Sequence, residues 1–488
     1  MLKQMSGSRI WKYLNKKSFF SKVWEYSLVY KFLTWTFNIF PGKLNRIYGR
    51  LENFLVEARL FQYVKFAAER FEVVTAFFLV FVLVVPHQYW NNLYNTGIVL
   101  ILLLLYCFKI IINRQEHFNI KALDYTLIIF MITIVLAEVT SLFPKESMKF
   151  FIFYMTCFLM VLIIVNGIKT GKSLDKFLEI ILVGVSLTGV YAIYQRIKGI
   201  PMDPSLTDWV LNEGMSGRAY STMGNPNNYA ELLILILPFF IALTLNAKSL
   251  YKKVYFTALS IPPLIALFLT GARSSWIALI IAVLVFVFLK DWKLIPFVVV
   301  LGILAFLFLP YISPMVYKRI LTIFTGTDSS INYRDAIYMT VAPMLKDFWF
   351  TGLGLGAGVE QAPFMKILQR YSLYYLAKTS SDGYATTPPH THNLFLQIWI
   401  EVGFVGILTF LWFIARTIKR TLLNVFHNIN NSLNHISMAG ISAFAGILVM
   451  GLAEYVWFYP RVMLFFWVIA GVVLSALNRL DQSELQKN

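Results

Sequence analysis

The residues best equipped for chemistry gather between Pro389 and Gly406. An imidazole, His392, stands at the mouth of an apolar run, which then carries the amide Asn393, the carboxylate Glu401 and two glycines, Gly403 and Gly406. Titratable groups at membrane depth are costly, so they are functional suspects by default. The plain alternative is that His392 caps a helix end facing water. Three arginines recur beside other apolar runs: Arg218, Arg273 and Arg334. A guanidinium is always charged and matches phosphate oxygens bidentately, so three near one site suit a diphosphate. Each has a simpler account. Arg218 precedes the run Ser221-Thr222-Met223-Gly224-Asn225-Pro226-Asn227, in which Asn225 reads as a helix N-cap and Pro226 as the first helical residue. Arg273, in Thr270-Gly271-Ala272-Arg273-Ser274-Ser275-Trp276, could snorkel to phospholipid heads. Arg334, opening a helix expected to reach about Leu345, could form a surface ion pair with Asp335 or a neighbour.

Other motifs carry less. The run Thr351-Gly352-Leu353-Gly354-Leu355-Gly356-Ala357-Gly358 fails as a dinucleotide fingerprint, because the third glycine would fall on Val359 and no strand–helix unit surrounds it; it reads as a flexible turn. His390 and His392 alternate as His-x-His, but no third ligand is near and His87, His117, His427 and His435 are scattered, so no metal or other cofactor is expected. Glu401 follows His392 by nine residues, which at about 100° per residue faces it away; it is expected to support the site from another contact. Gly403 and Gly406 are expected to allow close helix approach. Glu454, near the end of a later apolar run, is a further candidate carboxylate.

The elements that must position these groups are membrane spans. The chain has 488 residues, 58% hydrophobic and 14% charged, against roughly 25% charged in a soluble domain. Apolar runs of about 18 or more residues predict an all-α, polytopic membrane protein, and their continuity excludes an outer-membrane barrel. Twelve spans are expected: 72–89, 95–113, 122–143, 148–168, 175–195, 227–246, 252–269, 274–290, 294–312, 392–415, 437–457 and 461–478. They divide the chain into a basic, aromatic region at 1–70, a membrane domain at 71–312, a large loop at 313–391 and a second membrane part at 392–488. With the N-terminus inside, inner connections hold Lys109, Arg114, Lys121, Lys169, Lys172, Lys176, Lys248, Lys252, Lys253, Lys290, Lys293, Arg416, Lys419 and Arg420. The outer connections hold far fewer, among them Arg218, Arg273 and Arg461. Both termini are then cytoplasmic, and Arg218, Arg273, Arg334 and His392 share the outer side. The net charge of +18 fits topology control and anionic lipid beneath residues 1–70, where 13 Lys/Arg face 4 Asp/Glu amid Trp11, Trp24 and Trp35, rather than nucleic acid. Cys107 and Cys157 lie in apolar runs and imply neither disulfide nor metal. No signal peptide is expected.

In this order and on one side, the motifs resemble those of the O-antigen ligase and O-antigen polymerase superfamily: Gly-Asn-Pro-Asn at 224–227, Thr-Gly-Ala-Arg-Ser-Ser-Trp at 270–276, Arg334 before a glycine-rich run, then His392-Asn393, Gly403 and Gly406. The resemblance covers residues 200–410 and, by span layout, extends to polymerases of secondary cell-wall polymers such as teichuronic acid. It implies a GT-C-like membrane glycosyltransferase that takes an undecaprenyl-diphosphate-linked glycan donor and a glycan acceptor at the outer membrane face. It needs no cofactor and works beside a flippase and a chain-length regulator. It also implies that Arg218, Arg273 and Arg334 bind the diphosphate, that His392 with Arg334 is catalytic, and that Asn393 supports the site. Polymerase and ligase share this signature, so both stay open. A transporter of lipid-linked sugars is the competing class, and it would call for charges along a path through the bilayer centre and for inverted repeats, neither of which stands out.

Overall fold

In the computed structural model the chain is built from helices, and no strand occurs among the described residues. The structure describes residues 19–114, 117–201, 217–312, 329–356, 390–427 and 431–485, with scattered positions at 314–321 and 364–371. Trp11, Ala357, Gly358 and nearly half of the 313–391 loop lie outside these residues. Three helices with many exposed aromatic side chains come first: α1 (Phe19–Tyr26), α2 (Leu28–Glu57) and α3 (Arg59–Glu69).

Every expected span falls on a helix. They are α4 (Phe71–Val84), α5 (Leu93–Ile112), α6 (Tyr125–Val139), α7 (Pro144–Gly167), α8 (Gly171–Lys198), α9 (Pro226–Asn246), α10 (Leu250–Leu269), α11 (Arg273–Asp291) and α12 (Ile295–Ile312). After the loop helix α13 (Ser329–Phe348) come α14 (Leu394–His427), α15 (Ser432–Met450) and α16 (Pro460–Leu485). Nine described stretches are long and apolar enough to cross a membrane, α11 and α12 counting as one because only a three-residue 3-10 turn parts them; α4 and α6 are shorter apolar helices. This is a polytopic helical membrane protein. Nearly all of α16 is enclosed, and α9 and α15 are mostly so, whereas α12 turns its apolar surface outward.

The bundle has two polar ends. At one, Lys109 reaches the Gly167 carbonyl, Asn246 bonds Asp175, and His435 lies 2.8 Å from Lys290. Asp124, which caps α6, is gripped there by Arg416 at 2.8 Å and Arg420 at 3.3 Å, and Arg420 also holds Asp481. Helices α2 and α3 pack against the α5 terminus at this end, with Glu52 of α2 on Arg114, and Glu25 of α1 pairs with Lys121 just before α6. At the other end Thr222 donates to the Leu83 carbonyl, Ala219 to the Leu269 carbonyl and Leu394 to the Gly451 carbonyl. Arg461, counted above among the loop charges, is instead wholly buried here. It donates to the carbonyls of Val82, Val85 and Thr222. A cation at the carboxyl end of α4 meets carbonyls left without helical partners.

Candidate active site

The second end gathers the sequence-selected residues around one carboxylate. Glu454 lies in the turn after α15, not inside the span. Arg334, on α13, donates to its Oε1 at 2.7 Å, and His392 approaches its Oε2 through Nδ1 at 3.3 Å. Arg334 thus pairs with a buried partner more than a hundred residues away, and the surface pair with Asp335 is not what it forms. Asn227, in the first turn of α9, donates its amide to the same Oε1 at 3.2 Å. Arg218 donates to the Asn227 amide oxygen and, at 2.6 Å, to the Thr270 carbonyl, and its charge acts on Glu454. Arg273, at the start of α11, is close enough to Arg334 for the two charges to repel. All three guanidiniums and the imidazole therefore meet at one end of the bundle.

Burial alone raises the pKa of Glu454. The hydrogen bond from His392 and the charges of Arg334, His392 and Arg218 outweigh it, so the carboxyl is held below its ordinary range. An ionised carboxylate only accepts, so the imidazole donates its Nδ1 proton to Glu454.

The loop before α14 is built to present His392. Asn393 caps the helix, its side-chain oxygen accepting from Phe395 and Leu396 N–H, while its amide donates to the Leu452 carbonyl. His392 itself has φ +50°, a left-handed conformation that non-glycine residues seldom adopt and that concentrates at functional sites. His390 holds it there: its Nδ1 accepts the His392 backbone N–H at 3.1 Å, and its buried ring lies against His392, Tyr455 and Phe458. Burial, then the His392 and Arg334 charges, push the His390 pKa well below the usual imidazole range, which keeps that Nδ1 an acceptor.

Glu401 does not touch His392. Its carboxylate accepts from Gln397 at 2.8 Å and from the Gly356 N–H, and the Gln397 oxygen in turn accepts the Thr391 N–H. The chain Gly356, Glu401, Gln397, Thr391 ties the described end of the glycine-rich run to the histidine loop. Gly403 allows a close approach, but to the segment at Phe350 and Thr351 and not to another helix. It has φ +79° and breaks α14, freeing the Ile400 and Glu401 carbonyls to accept from Leu353 and Gly354, while Phe404 N–H turns to the Trp349 carbonyl. A Cβ at Gly403 would sit 2.0 Å from the Phe350 oxygen, and one at Gly352 2.5 Å from the Glu401 oxygen. The described part of the glycine-rich run, 351–356, is thus an ordered plug in a broken helix where a flexible turn was expected.

Sequence reasoning gave Glu454 little weight and passed over Asn227 and His390 as ligands of the cluster. Only their place next to the recognised motifs marked them. It also missed Glu231, one turn below Asn227 on α9, which is buried with its Oε2 lacking a hydrogen-bond partner among the described residues.

The fold and site define a class, a helical membrane protein with a cationic, histidine-bearing centre at one end. Residues 257–411 match the family described as O-antigen ligase. It is 24% identical over 279 residues to the teichuronic acid biosynthesis protein TuaE of Bacillus subtilis, covering 54% of this chain and 52% of that one. It is also 24% identical over 322 residues to the ComP-specific O-oligosaccharyltransferase of Acinetobacter baylyi, covering 63% and 53%. A putative polysaccharide ligase of Rickettsia felis is 24% identical over 126 residues, covering 26% and 27%. The chain spans about half the length of the first two relatives.

Proposed function

We propose that this protein is a membrane glycosyltransferase that polymerises undecaprenyl-diphosphate-linked repeat units of a cell-surface polysaccharide, such as a teichuronic acid, at the outer face of the cytoplasmic membrane. The observation that carries this reading is the meeting of Arg218, Arg273 and Arg334 beside the His392–Glu454 pair. These three cations and one carboxylate leave two positive charges, matching the two negative charges of a sugar-diphosphate-lipid diester. An apolar groove of about 700 Å³ supports a lipid-linked donor. It opens beside Tyr338 and Asn393 and runs between α13 and α14, past Val341, Leu345, Trp399 and Leu411. A polyisoprenoid tail fits there with its diphosphate at the arginines.

In this mechanism the acceptor hydroxyl oxygen attacks the anomeric carbon. The new glycosidic C–O bond forms as the bond to the diphosphate oxygen breaks, and that oxygen keeps the electron pair. His392 Nε2 takes the hydroxyl proton while Glu454 steadies the resulting imidazolium. Fixed guanidiniums stabilise the departing diphosphate without reorganising. The same centre would serve ligase-type transfer of a finished glycan, a reading favoured by the names of two relatives.

The test is His392→Ala and Arg334→Ala in the native cell. Each is expected to abolish the polymer and accumulate its lipid-linked unit while the protein stays in the membrane at normal level. A normal chain-length distribution in both variants rejects the reading.

A further inference from the structure

A second polar cavity, of about 500 Å³, lies at the same end of the bundle and takes no part in the mechanism above. Its lining includes His87, Trp90, Tyr220, Asn225, Asn228 and Tyr459. It shares a wall with the ion cluster, the first turn of α9. Asn225 caps that turn by accepting the Asn227 N–H. Asn227 turns to Glu454 and Arg218, while its neighbour Asn228, about 100° further round the helix, lines the cavity.

The cavity's chemistry is unlike that of its neighbours. Among the described residues that line it, none is a carboxylate, lysine or arginine. Arg461 lies behind the Trp90 ring, 5.0 Å from its centroid, but it points its donors at three carbonyls and the Tyr459 hydroxyl. Burial, then the Arg461 charge, lower the pKa of His87, so its ring is neutral at neutral pH. A diphosphate finds no counter-charge here, and a hydrocarbon tail would strand the asparagine amides without partners. What remains is an uncharged polyol. Flat aromatic surfaces accept the C–H faces of a pyranose, and each amide offers a donor and an acceptor to neighbouring hydroxyls. The volume falls within the usual range for small-molecule sites, about 300–1,000 Å³.

We propose that this cavity binds an uncharged sugar residue of the glycan substrate, in the frame of the glycan-transfer reading above. The diphosphate, the lipid and the sugar then occupy three compartments of different polarity that meet at the starts of α9 and α14. The sugar can belong to the donor or to the acceptor chain.

The experiment places a photoreactive amino acid at Tyr220 in the full-length protein, in cells making the polymer, with Ile197 on the exposed end of α8 as control. After irradiation, digested adducts are analysed by mass spectrometry. The Tyr220 adduct is expected to carry sugar and the Ile197 adduct none. In a His392→Ala background, sugar still joined to lipid diphosphate identifies the donor, and lipid-free glycan the acceptor. Asn228→Ala is expected to lower polymer yield about 5- to 10-fold, the worth of one to two hydrogen bonds, with the protein kept in the membrane. Tyr220 adducts that hold only phospholipid or nothing, with unchanged yield in Asn228→Ala, overturn the subsite. If instead the polymer keeps its normal chain lengths in both His392→Ala and Arg334→Ala, the glycan-transfer reading fails on its own account, and the two failures are told apart.

Discussion

Glu454 gathers contacts from α9, α13 and the loop before α14, and its chemistry decides what His392 can do. The ionised carboxylate fixes the imidazole proton on Nδ1 and offsets part of the arginine charge. Replacing it with glutamine keeps the shape and removes the charge. Glu454→Gln is expected to lower glycan transfer about 10²-fold, within the range ascribed to acid–base groups. The pH dependence follows from the direction of the shift. A carboxyl whose folded pKa lies below its unfolded value contributes stability that is complete above the unfolded value, about 4.3 for Glu. That stability is lost as pH falls through the lower, folded value. Thermal melts of detergent-solubilised protein should therefore show wild type more stable than Glu454→Gln at pH 7, with the gap closing below about pH 4. A gap that stays constant across this range would show that Glu454 is not held ionised by the cluster.

Among the elements, α14 explains why two glycine motifs so far apart in sequence belong to one device. A helix that breaks leaves carbonyls and N–H groups unpaired, which is costly inside a membrane unless another segment satisfies them. The 349–356 segment does so, carbonyl and N–H alike, and then ties Gly356 to Glu401. Gly403→Ala forces a side chain onto a backbone of φ +79°, ψ −179°, a region essentially reserved for glycine and costing on the order of 1–3 kcal/mol, and into the Phe350 carbonyl at 2.0 Å. It is expected to lower the melting temperature and nearly abolish transfer, whereas Ala at Gly97, where an added Cβ meets nothing within 4 Å beyond its own helix, should do neither. Equal melting curves for Gly403→Ala and Gly97→Ala would refute the clamp. The spans were legible in sequence because lipid demands long apolar runs. So was the N-cap at Asn225, because its side chain answers a purely local need. The grouping of Arg218, Arg273, Arg334 and His392 was readable from motif order and charge asymmetry. The broken helix was not, since a glycine that kinks and one that packs look alike in a row of letters. Nor was the choice of Glu454 over Asp335 as partner of Arg334, which depends on the turn after α15 closing over the site.

At the scale of the whole molecule, charge and chemistry separate to opposite ends. Lys169, Lys172, Lys176, Lys248, Lys252 and Lys253 cluster by the connections at the end where α2 and α3 pack. The arginines of the site stand at the other. Lysine-rich short connections stay on the cytoplasmic side, so the site end should face outward, as the proposed glycan transfer requires. Both native cysteines are buried, which gives a quiet background for labelling. Ile197→Cys, exposed at the site end, is expected to react with a membrane-impermeant maleimide in intact cells. Tyr251→Cys, equally exposed at the opposite end, should react only after the membrane is opened. The reverse pattern would put the arginine cluster in the cytoplasm, away from any donor already flipped across the bilayer. The electrostatic match to a diphosphate would survive such a result, but transfer at the outer face would not. Labelling of both positions in intact cells would instead mean that the lysines do not fix one orientation.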